Sequence, residues 1–204
     1  MKALLIIDVQ NDFLPGGALA VPEGDQVIPV INRLQDSFEF IVATQDWHPA
    51  DHGSFAANHK NKKPGEFVNL SGVQQILWPI HCVQNTPGAE FHPQLEQKNW
   101  KAVFQKGTNP HVDSYSGFFD NNRMQDIGLS AYLREHGILR VYVTGLATDY
   151  CVKYSVLDAL NEGFETYLIE DATKGVNLSP QDSERAITEM SKAGSEVIKS
   201  SSII

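Results

Sequence analysis

Short apolar runs that alternate with amphipathic stretches constrain this chain more than any other feature of its sequence. The runs are Ala3–Asp8, Phe38–Ala43, Ala102–Gln105, Leu139–Gly145, Thr166–Ile169 and Glu196–Lys199. The helical stretches are Gln26–Phe38, Ile127–His136, Asp149–Glu162 and Pro180–Ala193. A strand that is apolar on both faces must be covered on both, and a parallel pair needs a long crossover, usually a helix. The alternation therefore predicts an α/β fold: a three-layer, doubly wound parallel sheet of about six strands with helices on both faces. Gly163 and Gly194 stand just after two of the helical stretches, where a left-handed C-cap ends a helix. No repeat, low-complexity tract or linker divides the chain, so residues 1–204 are expected to form a single domain.

Composition narrows the function classes. With 42% hydrophobic and 20% charged residues the chain has a globular balance. It carries 16 Lys and Arg against 25 Asp and Glu, a formal net charge of −9, with no basic cluster. That argues against nucleic acid or an anionic membrane as partner and leaves a small molecule. The apolar run Ala3–Ile7 is too short for a signal peptide core or a membrane span. Two cysteines, Cys82 and Cys151, make no disulfide framework. A cytoplasmic protein is expected, as a monomer or a homodimer.

From Asp46 to about Trp100 the periodicity lapses into Pro, Gly, Asn and His. A long irregular segment inside a compact domain is commonly functional, and His48, His52, His59 and His81 all fall within it.

In open α/β sheets, ligands bind beyond the carboxyl ends of the strands. The first run ends at Asp8, the second at Thr44-Gln45-Asp46, the third at Lys106 and the fourth at Thr144-Gly145, which leads into the stretch from Leu146 to Cys151. A carboxylate, an ammonium and a thiol thus converge on one edge. Thr148 reads as the N-cap of the next helix and puts Cys151 at N3, where unpaired N–H groups favour thiolate over thiol. Lys106 pushes the same way and Asp8 can accept the proton, so the three make an activated nucleophile. The competing reading has Cys151 as a small buried hydrophobe, with Asp8 and Lys106 merely solvated.

A second constellation is Asp46, His48, His52 and His81. In an extended segment Asp46 and His48 point the same way. His52 lies one short loop on, and His81 follows the Trp78-Pro79-Ile80 turn. One carboxylate with two or three imidazoles suits Zn²⁺, Fe²⁺ or Mn²⁺ and leaves positions open for water or substrate. Against this stands the ordinary surface pairing of Asp with His. Cys82 reads as packing and His59 as solvated, while His92, His111 and His136 have no evident partners. Phe13, Trp78 and Tyr115 either line a small flat pocket or fill the core. The chain has no G-x-G-x-x-G, Walker A, H-E-x-x-H or C-x-x-C, so a dinucleotide cofactor has little support.

The segments that carry these residues, Leu4 to Phe13, Thr44 to Pro49, Trp78 to Val83, Lys106-Gly107, Tyr115 to Phe118 and Gly145 to Val152, resemble the nicotinamidases and pyrazinamidases of the isochorismatase-like cysteine hydrolase family. They occur in family order across essentially the whole chain, with no departure at the triad or ligand positions. The resemblance implies a catalytic triad of Asp8, Lys106 and Cys151, and a divalent metal ion held by Asp46, His48 and His81 with His52 as a fourth ligand. It implies a cis Leu146–Ala147 peptide, an oxyanion hole from the Ala147 and Cys151 N–H groups, and a pocket of Phe13, Trp78, Tyr115, Leu146 and Ala147. The implied activity is hydrolysis of nicotinamide, and of pyrazinamide, in NAD salvage. Within the family the alternative is a metal-free hydrolase of another small amide or an enol ether, which has no need of the His cluster. A mechanistic rival is attack by metal hydroxide, with Cys151 structural. A non-catalytic pyridine- or metal-binding protein is the reading from another class, and the full triad speaks against it.

Overall fold

A computed structural model describes residues 1–204. Six strands form one parallel sheet: β1 (Lys2–Ile7), β2 (Ile41–Asp46), β5 (Trp100–Lys106), β6 (Arg140–Leu146), β7 (Glu165–Lys174) and β8 (Glu196–Ile198), in the order β5-β2-β1-β6-β7-β8. The helices are α1 (Val27–Gln35), α2 (Leu129–Glu135), α3 (Lys153–Asn161) and α4 (Asp182–Ala193). No helix is long and apolar enough to cross a membrane.

The alternation of side chains along β1 shows why its sequence is apolar throughout. Leu4 and Ile6 pack with Ile28, Ile31 and Leu34 of α1, whereas Ala3, Leu5 and Ile7 pack with Leu129 and Leu133 of α2 and Val156 of α3. Each such Leu or Ile side chain taken out of water contributes roughly 1.5–3 kcal/mol. Gly163 and Gly194 have φ of 82° and 116°, the left-handed caps expected after α3 and α4.

The boundaries differ in ways that bear on the site. β2 begins at Ile41 rather than Phe38 and runs through Thr44 and Gln45 to Asp46, all buried. Its polar end looks like a loop in the sequence, yet these side chains are pinned from above by the irregular segment. β7 continues past Ile169 through Glu170 and Asp171, opposite a register shift in β6 between Val143 and Gly145. Asp171 accepts the Ser200 N–H and hydroxyl, which ties this extension to the C-terminal segment. The stretch from Asp149 to Glu162 splits into a π-turn (Thr148–Val152) and α3. Inside the irregular segment lies an unforeseen hairpin, β3 (Phe67–Leu70) and β4 (Val73–Ile76). Its turn is Ser71-Gly72, with φ of 51° and 90°, the pair of left-handed residues that a tight hairpin demands.

After β1 the chain moves to one side of the sheet, through β2 to β5, and then returns to place β6 on the other side of β1. The crevice beyond the carboxyl ends of β1 and β6 is thus a topological switch point, where ligands bind in this class of sheet.

Candidate active site

Strand ends deliver the chemistry to that crevice. Asp8, directly after β1, is fully buried with φ of 48°. Its Oδ1 accepts the Thr44 hydroxyl at 2.6 Å, and its Oδ2 faces Lys106 Nζ at 2.8 Å. Lys106, the last residue of β5, is also buried. Its ammonium reaches the Ser114 carbonyl at 2.8 Å and Cys151 Sγ at 3.4 Å, and it pairs with the Asp46 carboxylate. One ammonium therefore links Asp8, Asp46 and the thiol, three groups drawn from three different elements.

Burial and charge divide the protons among them. Burial favours the neutral amine, but Asp46 and Asp8 outweigh it and hold Lys106 charged, well above the usual lysine range. Burial raises Asp8 to about 6, against the pull of Lys106 and with help from Asp46. At Asp46 the charges of Lys106 and His48 overcome burial and hold the carboxyl below its usual range. Burial pushes the Cys151 thiol up, more than Lys106 pulls it down. This runs against the thiolate expected from the sequence, because burial favours the protonated thiol.

The capping expectation is corrected as well. Ala147, in extended conformation, precedes the π-turn, and no side chain caps it. The Thr148 side chain is buried within the turn, whose wider ring closes with the Val152 N–H donating to the Ala147 carbonyl at 3.1 Å. Cys151 thus lies inside the π-turn, and the Leu146–Ala147 peptide before it is cis.

Beside the thiol a small pocket is lined by Phe13, Asp46, Trp78, His81, Tyr115, Ala147 and Cys151. Leu146 does not join them; it is fully buried and packs with the core on the α1 side. The wall also contains Leu19, Asp113, Tyr150 and Val176, which sequence reasoning missed. Tyr150 adjoins Cys151 and Asp113 precedes the Tyr115 motif, so both stood close to visible signals. Leu19 and Val176 come from loops whose sequence carries none.

Behind the pocket, Asp46 Oδ2 lies 3.5 Å from His48 Nε2 and 3.9 Å from His81 Nε2. The His48 ring places Nδ1 2.8 Å from the Gly107 carbonyl, and His81 places Nδ1 2.8 Å from the Pro79 carbonyl. A carbonyl only accepts, so in both rings a hydrogen sits on Nδ1, which leaves Nε2 to ligate when the ring is neutral. His48 Nε2 is buried and takes no hydrogen bond. Two imidazole Nε2 atoms beside a carboxylate, with donor atoms within 4.8 Å of one another, fit a divalent metal ion. Burial also lowers His81, to about 4, and so favours its neutral, ligating form.

His52 stands differently. Its ring lies 4.3 Å from that of His48, but its donor atoms group with His48 and Asp113 rather than with Asp46 and His81. Its Nδ1 lies 2.7 Å from the Ser54 hydroxyl and 3.2 Å from the Ser54 N–H, and its Nε2 is buried without a hydrogen-bond partner. Cys82 is buried core, as expected, and both cysteines are free. His59, expected in solvent, is half-buried and bonded to the Gly53 carbonyl at 2.7 Å.

Comparison with known proteins agrees with this geometry. The isochorismatase domain family matches residues 2–202. The nicotinamidase of Escherichia coli (strain K12) is 55% identical over 199 residues, covering 95% of this chain and 92% of the relative. Among solved structures, a nicotinamidase/pyrazinamidase of Acinetobacter baumanii superposes with a TM-score of 0.96 at 47% identity, over 100% of this chain and 98% of that one. A pyrazinamidase of Pyrococcus horikoshii in complex with zinc superposes at 0.79 with 43% identity, over 97% and 98%. On its fold, its strand-end groups and these similarities, the chain belongs to the isochorismatase domain family.

Proposed function

We propose that this protein is a nicotinamidase, a cysteine amidohydrolase that converts nicotinamide to nicotinate and ammonia, and pyrazinamide to pyrazinoate. One observation carries the reading: a buried ammonium, Lys106, holds Asp8 and the Cys151 thiol together beside a small pocket lined by Phe13, Trp78 and Tyr115. The high identity to the E. coli nicotinamidase supports the substrate.

Phe13 and Trp78 flank the pyridine ring and hold the carboxamide over Cys151, a near-attack placement. Asp8 takes the thiol proton, and the thiolate attacks the amide carbon. Backbone N–H groups of Ala147 and Cys151 donate to the oxyanion, each worth roughly 3–4 kcal/mol in such sites. Asp8 then gives its proton to the leaving nitrogen, ammonia departs, and the acyl group remains on Sγ as a thioester. Asp8 next draws a proton from water as it attacks the thioester. The carbon–sulfur bond breaks, nicotinate leaves, and that proton returns to Sγ. Throughout, Lys106 offsets the negative charge that passes between Asp8 and Cys151.

Asp46, His48 and His81 would hold a divalent ion, Zn²⁺ or Fe²⁺, with Mn²⁺ also suited to the donor set, and His52, beside His48, would be its fourth ligand. When bound, the ion supplies a Lewis-acidic point for a ring nitrogen or a water. In the cell this reaction belongs to NAD salvage.

Ammonia release from nicotinamide by the metal-replete protein, run beside Cys151→Ala, tests the proposal. Turnover by the unaltered protein and at least a ~10³-fold loss in the variant, with metal content unchanged, is the expected result. No ammonia from the unaltered protein rejects it, and activity in the variant rejects Cys151 as nucleophile.

A further inference from the structure

The β3–β4 hairpin holds one polar residue that its surroundings do not explain. Gln75 is the buried member of two strands whose other residues are exposed or half-buried, and it is 2% exposed. It does not line the pocket, yet its side chain meets two residues that do. Gln75 Nε2 lies 3.0 Å from Asp113 Oδ2, 2.9 Å from Tyr115 Oη and 2.8 Å from the Ile76 carbonyl oxygen, three acceptors around two hydrogens. Its Oε1 accepts Asn121 Nδ2 at 3.3 Å, while Asn121 Oδ1 accepts the Tyr115 N–H at 3.0 Å and the Asn121 N–H donates to the Asp113 carbonyl at 2.7 Å. Gln75 thus joins three side chains, and Asn121 ties the network to the backbone of Asp113 and Tyr115. Tyr115 Oη also accepts Trp78 Nε1 at 3.2 Å, which carries the connection to the opposite wall.

A buried carboxylate turns toward whatever donor it can find, since leaving it unpaired costs more than a typical hydrogen bond gains. Asp113 Oδ1 is held by the Ser114 N–H at 2.8 Å, so Gln75 is the donor that fixes the other oxygen. The same amide group fixes the phenol of Tyr115. A hydrophobic residue at 75 would fill the space and free both groups.

We propose that Gln75 is a positioning residue: from behind the pocket wall it sets the Asp113 carboxylate and the Tyr115 ring, and so governs substrate binding rather than the chemical step. This rests on the nicotinamidase reading for its substrate but not for its geometry. Gln75→Leu removes the donor, Gln75→Glu keeps the shape but turns a second carboxylate on Asp113, and exposed Gln74→Leu is the hairpin control. Steady-state kinetics with nicotinamide should show KM raised ~10-fold in Gln75→Leu and further in Gln75→Glu, with kcat within ~3-fold and Gln74→Leu like the unaltered protein. Tryptophan emission should shift in both Gln75 variants, through Trp78, and not in the control. An unchanged KM, or a loss confined to kcat, overturns the proposal. Should Gln75→Leu fail to fold, Gln75→Glu and Asn121→Ala carry the same split. If the unaltered protein releases no ammonia, the functional reading fails by itself. The emission comparison then still decides this one, and unaltered emission in Gln75→Leu overturns it.

Discussion

Asp46 does two jobs with its two oxygens. Oδ1 pairs with Lys106 and Oδ2 faces His48 and His81, so the nucleophile's ammonium and the imidazole cluster share a carboxylate. Lys106 is the one fully buried ammonium that Asp8 and Asp46 share, and its loss would leave the two carboxylates without that common charge. Lys106→Met should therefore abolish turnover and cost about 3–5 kcal/mol of stability, the usual penalty for removing one partner of a buried ion pair; chemical denaturation measures it. In the proposed mechanism Asp8 sets the pH dependence. A base must be ionised to take the thiol proton, and Asp8 is raised to about 6 by burial. Falling pH protonates it, so kcat/KM should drop tenfold per pH unit below about 6 and level off above. A profile flat down to pH 5 would exclude Asp8 as the base.

Elements bring these residues within reach because glycines permit close approaches at two strand ends. Gly107, just after β5, has φ of 65°, and a Cβ there would stand 2.3 Å from His48 Cε1. Gly107→Ala should displace the ring whose Nδ1 its own carbonyl orients, lowering metal affinity by ~10–100-fold; competition with a chromogenic chelator reads this. Gly145, in β6, has φ of 110° and would put a Cβ 2.1 Å from the Ile7 carbonyl oxygen. Here the obstacle is backbone in the next strand, which cannot swing aside. Gly145→Ala should lower stability by on the order of 3 kcal/mol and prise apart β1 and β6 where Asp8 and Cys151 meet; a thermal melt at matched metal content measures the loss.

At the scale of the whole molecule, the ion and the fold are separable. The two apolar clusters on either face of the sheet do not involve His48, His52 or His81, so chelation should end turnover while far-UV circular dichroism stays native. Restoring zinc should raise the melting temperature with concentration, as binding to the folded state requires, and Asp46→Asn should blunt that rise. Unfolding on chelation alone would make the ion structural.

The sequence by itself determined the sheet, its covering helices and the groups at its strand ends. Period-two and period-3.6 patterns are local, and a run such as Leu4 to Ile7 reports burial on both faces wherever its neighbours are. It also showed Asp8, Lys106 and Cys151, because the carboxyl end of a parallel strand is a defined place in any such sheet. Tertiary structure alone decided what those groups are. The hairpin that carries Gln75 hides in a stretch without periodicity, and Asp113 gains its place only where that hairpin meets it. Leu146 turns into the core rather than the pocket, and His52 groups with His48 and Asp113 rather than with Asp46 and His81. Burial pushes both the Cys151 thiol and the Asp8 carboxyl up against the pull of Lys106, and that balance depends on residues far apart in the chain. Distance along a sequence says nothing of dielectric or of Coulomb energy; both are set by how the strands are ordered.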